Sequence, residues 1–174
     1  GTNWASEAPY GSKLVKVWTA STTARFITTL GFGNAYPDGS IPQVSEGLEI
    51  LNLPITATAA GNKLHFMFHA MTGSTSSPNA MFALFRTSGP SSSANALFAT
   101  SGYVNSSGNG TWHTVEDALT TSASNYQVRL ARGNSGNVTI NDYNEYFAYN
   151  TPPFVVGNFG AASKTSLTAI EYTP

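Results

Sequence analysis

The chain contains no cysteine, few charges, almost no helix signal and no long apolar run. Without cysteine, no disulfide framework enters the argument. Charged residues make up 10% of the chain, well below the roughly 25% usual in globular domains. A net charge of -1 removes the electrostatic basis for binding nucleic acid or an anionic membrane. No stretch approaches the roughly 20 apolar residues of a membrane span. The best helix candidate, Val115-Glu116-Asp117-Ala118-Leu119, is one turn long and runs into Thr120-Thr121-Ser122. Gly1-Thr2-Asn3-Trp4 reads as neither a signal nor a transit peptide.

The 174 residues are 41% hydrophobic and 12% aromatic, enough for one domain with a sizeable core and too apolar for disorder. Ser, Thr, Asn and Gly take the place of the missing charge, which suits an extracellular or particle-borne β-protein. Short runs alternating apolar and polar residues, bounded by Gly, Pro, Ser and Asn, predict strands near 13–20, 24–30, 47–57, 62–71, 79–87, 95–103, 111–116, 124–132, 137–140, 145–149 and 165–172. The spacing indicates an all-β sandwich or barrel over 13–174 and not βαβ units, with residues 1–12 as a tether. Gly61-Asn62 reads as a turn joining two adjacent antiparallel runs.

Two strands are apolar on both faces. Leu64, Phe66, Phe68 and Ala70 share one side of the 62–71 run, while His65, Met67, His69 and Met71 share the other. Asn79-Ala80-Met81-Phe82-Ala83-Leu84-Phe85 is similar. With no helix to cover the second face, self-association is the economical explanation. His65, Met67, His69, Met81 and Phe85 are therefore the expected inter-subunit residues.

Several motifs then occur in order. They are Ser40-Ile41-Pro42-Gln43-Val44-Ser45-Glu46-Gly47-Leu48-Glu49-Ile50, the run from Leu53-Pro54-Ile55 to Lys63-Leu64, Ala83-Leu84-Phe85-Arg86, Gln127-Val128-Arg129, and Ser166-Leu167-Thr168-Ala169-Ile170-Glu171. Together they resemble the C-terminal tip domains of bacteriophage tail fibres and related tail proteins. The resemblance spans roughly residues 13–172. It implies a jelly-roll-like β-sandwich of the C1q/TNF type, a homotrimer, a place on the virion outside the cell, and attachment to a bacterial surface polysaccharide or lipopolysaccharide. Ser88-Gly89-Pro90 departs from the Asp-Gly turn of that family.

No constellation reads as catalytic. Glu116 and Asp117 are adjacent, so on a strand they point to opposite faces. His65 and His69 lie about 13 Å apart along one strand, too far to share a metal within one chain. Copies of one His could approach around a threefold axis, yet the expectation is an inter-subunit face with no metal and no cofactor. Asn141-Asp142-Tyr143-Asn144-Glu145 lacks the frame of a calcium loop.

Glycan recognition is the reading with physical support, because sugars take flat aromatic faces and neutral amides. Its expected residues are Trp112, His113, Asn141, Asp142, Tyr143, Asn144 and Tyr146. Two alternatives stand beside a receptor-binding tip: a structural trimerisation or capping domain without its own ligand, and a carbohydrate-binding or adhesin module of a secreted cellular protein.

Overall fold

Apolar–polar alternation becomes ten strands in the computed structural model, which describes residues 12–32, 40–74, 79–103, 107–133, 136–141 and 164–174. They are β1 (Leu14–Thr22), β2 (Phe26–Thr28), β3 (Leu48–Ile55), β4 (Lys63–Ser74), β5 (Asn79–Arg86), β6 (Phe98–Tyr103), β7 (Ser107–Asp117), β8 (Ser124–Arg132), β9 (Val138–Ile140) and β10 (Thr165–Tyr172). There is no helix among the described residues. The run expected at 145–149 lies outside the described residues, as does the tether up to residue 11.

One sheet has the order β1-β10-β4-β9-β2, with β7 along the other side of β4. Pairing of β10 with β4 ends at Ser166 opposite His69, and β9 takes over at Thr72 opposite Ile140. The short β9 and β2 thus extend the lines of β10 and β1, leaving a layer four strands wide. The second layer has the order β3-β8-β5-β6. All pairings between named strands are antiparallel. Two layers of four, crossed repeatedly by the chain, form an all-β, jelly-roll-like sandwich.

The side-chain period of two fills the space between the layers. Leu64, Phe66, Phe68 and Ala70 of β4 join Leu167 and Ala169 of β10 against Leu53 and Ile55 of β3, Val128 and Leu130 of β8, and Phe82 and Leu84 of β5. Aromatic pairs bridge the layers, Phe66 with Tyr126 at 4.8 Å and Phe68 with Phe82 at 4.9 Å between ring centroids.

Two expectations are corrected here. Gly61-Asn62 does not close a hairpin, because β3 pairs with β8 while β4 pairs with β10 and β7. The intervening segment crosses from one layer to the other and is pinned by a buried carboxylate. Glu171 Oε1 accepts from the Thr58 amide at 2.7 Å, the Thr58 hydroxyl at 2.8 Å and Asn62 Nδ2 at 2.6 Å. The second face of β5 is covered by its own chain, where Ala83, Phe85 and Ala131 pack with Phe32 under Val44 and Ala96. Phe85 is 0% exposed and therefore presents no surface to a neighbouring subunit.

That cover is itself anchored. Arg129 donates from Nε to the Glu46 carbonyl at 2.7 Å and from Nη2 to the Gly47 carbonyl at 2.9 Å. Gly47 has φ +66°, and a Cβ there would stand 2.8 Å from the Phe32 ring and 2.9 Å from the Leu130 carbonyl oxygen. Only glycine meets both demands.

Candidate functional site

The outward face of the β1-β10-β4-β7 layer follows from register. Val17, Ile170, His65 and Val115 form one row across the four strands, and Thr19, Thr168, Met67 and His113 form the next. Ser21, Ser166, His69 and Thr111 form a third. Val17 is 50% exposed, Met67 39% and Val115 48%. One row of the face is apolar, with Val17, Ile170 and Val115 around His65, and the two rows beyond it carry hydroxyls and imidazoles around Met67, with the Thr19 and Thr168 hydroxyls 3.3 Å apart. An open depression of about 350 Å³ is lined by His65, Met67, Thr111, Trp112 and His113.

Charge is held at the margins. Lys63 pairs with Asp117 at one end of the face, and this hydrogen bond and charge raise the Lys63 pKa above its ordinary value. Glu116 points the other way. Burial pushes its carboxyl above the usual range, with the Arg86 guanidinium opposing and Asp117 adding to the rise. Arg86 is itself buried and stands 5.8 Å over the Tyr126 ring. Glu116 and Asp117 thus occupy opposite faces of β7, as their adjacency requires.

The expected interface residues divide. His65, Met67 and His69 lie on the outward face of the β1-β10-β4-β7 layer, with His65 half-buried and the other two exposed. Met81 lies on the opposite side of the sandwich, half-buried beneath the same cover as Phe85. One sheet face cannot carry both sets.

The expected glycan residues divide too. Trp112 is a core residue, stacked on Phe68 at 5.1 Å and packed against Phe98 at 5.2 Å. It offers no open platform, because β7 turns it inward and His113 outward. Asn141 is also buried. Its Nδ2 donates to the Thr22 carbonyl at 3.2 Å and the Ala24 carbonyl at 2.9 Å, while its Oδ1 accepts from the Thr165 hydroxyl at 3.0 Å. The backbone there is left-handed, with φ 56°, a conformation asparagine tolerates. Asn141 therefore locks the β1–β2 link to the start of β10 and is not free for a ligand. Asp142, Tyr143, Asn144 and Tyr146 lie outside the described residues.

Sequence reasoning missed that Val17, Ile170 and Val115 complete the apolar face. It also missed that His113 belongs beside His65. Alternation alone carried that signal, since an inward Trp112 forces an outward His113. The fold and this face define a class: a jelly-roll-like sandwich with one outer surface covered by its own chain and the other left open by the described residues.

No protein-family model and no curated protein matches the chain. Among solved structures, a chain of infectious bursal disease virus, Gx strain, is similar over 90% of this chain and 36% of its own length, at 11% identity and TM-score 0.42. The corresponding figures for the Gt strain are 92%, 36%, 11% and 0.37. This chain thus spans about a third of each of those chains. A likeness of this size carries no argument about function.

Proposed function

We propose that this chain is the non-enzymatic tip domain of a phage tail fibre or tail protein, a homotrimer that attaches the virion to a bacterial surface glycan. The observation that carries the reading is the face of the β1-β10-β4-β7 layer, where Val17, Met67 and Val115 are left open by the described residues, set against an opposite face that the chain covers itself. Three such faces packed around an axis bury Val17, Met67, Val115 and Ile170, and the loops at the ends of the sandwich stay outward. With a net charge of -1, recognition rests on short-range polar and aromatic contacts, so cell binding changes little with salt.

Light scattering at micromolar concentration tests the assembly, and a mass of three chains is expected. Met67→Asp places an unpaired charge in the shared face, and a monomer is the expected result. A wild-type monomer, or a Met67→Asp trimer, overturns the arrangement. Binding of the trimer to whole bacteria, at low and high salt, tests attachment.

One observation favours a structural cap without its own ligand: Trp112 and Asn141, two residues expected to hold sugar, serve the core instead. A trimer that binds no cells decides for the cap.

A further inference from the structure

We propose that His65, Met67 and His113 together bind one monovalent copper ion on the outward face of β4 and β7. All three histidines of the chain lie on this face, but only two of them meet. The rings of His65 and His113 stand 5.6 Å apart between centroids, with planes at 79°. A nitrogen–metal bond of about 2.0–2.1 Å places the metal about 3.2 Å from each imidazole centroid, so a ligand angle of about 110–120° sets the centroids about 5.2–5.5 Å apart. The observed separation needs only a small adjustment to match.

A second observation is independent of that spacing. The Nε2 atom of His65 is shielded from solvent and has no hydrogen-bond partner among the described residues, a state that buried polar atoms rarely hold without a reason. A third is the placement of Met67. It sits opposite His113 in the β4–β7 register and lines the same depression as both histidines.

The donor set selects the ion. Two imidazoles are borderline donors, the thioether is a soft one and no carboxylate joins them, which suits Cu⁺ and not Ca²⁺ or Mg²⁺, whose ligands are oxygens. Among the described residues no three His, Asp or Glu side chains converge as a metal group, which argues against a harder site. Asp117 is engaged with Lys63, and Glu116 faces the other side of β7. His69 shares the face but approaches the Lys164 carbonyl, at 3.4 Å from Nδ1, and serves as the control.

The test is anaerobic titration of the whole chain with Cu⁺ held by a chromogenic chelator, followed by X-ray absorption at the copper edge. One ion per chain with two nitrogen donors and one sulfur donor is expected. His113→Gln and Met67→Leu should each weaken binding at least about tenfold, the range seen even for groups that only support a ligand, and Met67→Leu should also remove the sulfur signal. His69→Gln should leave the Cu⁺ affinity and stoichiometry unchanged. The proposal is overturned if the chain takes no stoichiometric Cu⁺, if His113→Gln binds as the wild type does, if His69→Gln weakens binding equally, or if Zn²⁺ binds as tightly as Cu⁺. The donors come from one chain, so a copper-binding monomer refutes the trimer alone, and a trimer without copper refutes the ion alone.

Discussion

The two outward surfaces of this sandwich start from the same kind of strand and end differently. Both β4 and β5 carry apolar residues on each side. Over β5, the segments around Phe32, Val44 and Ala96 close the second side and bring Phe85 to 0% exposure. Over β4 and β7 nothing among the described residues does so, and Met67 and Val115 stay open. An apolar strand face therefore says only that some cover is needed. Whether the chain itself supplies that cover is decided by segments far away in sequence, here held down by Arg129 through the carbonyls of Glu46 and Gly47.

The largest expected effect lies on the covered side. Phe85→Ala should leave a cavity between β5 and its cover and cost about 3–5 kcal/mol in urea unfolding. A loss below about 1 kcal/mol would mean that the cover packs loosely.

Next comes the crossing between layers. Glu171→Gln removes a charge that accepts three hydrogen bonds and places an amide where Oε2 has no partner, so about 1–3 kcal/mol of stability should go. The pH dependence has a definite sign. Burial pushes the Glu171 carboxyl up, but the hydrogen bonds from Asn62 and Thr58 outweigh it and hold the pKa below the usual range. Its contribution is present above the ordinary glutamate value of about 4.3 and is lost as pH falls through the lower folded value. Unfolding measured down the acid limb should be flatter for Glu171→Gln than for the wild type.

Glu116 runs the other way. Its raised pKa means that the folded state holds the proton more tightly, so its contribution fades as pH rises. Glu116→Gln should give a small gain in stability at neutral pH, read in the same urea experiment. A loss would show that Arg86 depends on that carboxylate.

The smallest effect belongs to the uncovered side. Val17→Thr and Val115→Thr keep shape at exposed positions and should change unfolding of the dilute chain by no more than about 0.5 kcal/mol. Their consequence should appear in sedimentation as weaker self-association. A large stability loss at either position would mean that this face is also closed within one chain.

Much of the fold was legible as sequence. Alternating or wholly apolar runs bounded by turn residues placed all ten strands of the described residues, because a period of two is imposed by the strand itself and a strand covered on both sides is apolar throughout. The motifs behind the family resemblance turn out to meet one another: Arg129 holds the Glu46-Gly47 turn, Glu171 holds the Thr58–Asn62 crossing, and Leu84-Phe85 pairs with Val128-Gln127. They are fastenings of the sandwich, so they announced the fold far better than they announced a ligand. The site was harder to read. Trp112 looked like a sugar platform beside a loop, yet its neighbours Phe68 and Phe98 come from two other strands that no local pattern names.

What the sequence determined by itself was local. It set which residues form strands, which side of each strand is apolar, and that charges are few, since these follow from side-chain alternation and composition. Tertiary structure alone decided the partners. Register across β4 and β7 brought His113 to His65 while leaving His69, four residues along the same strand, apart. Layer crossing sent β3 and β4 to opposite sheets. The physical reason is the same in both cases: hydrogen bonds between strands join residues distant in the chain, and which strands meet is settled by burying all the apolar faces at once.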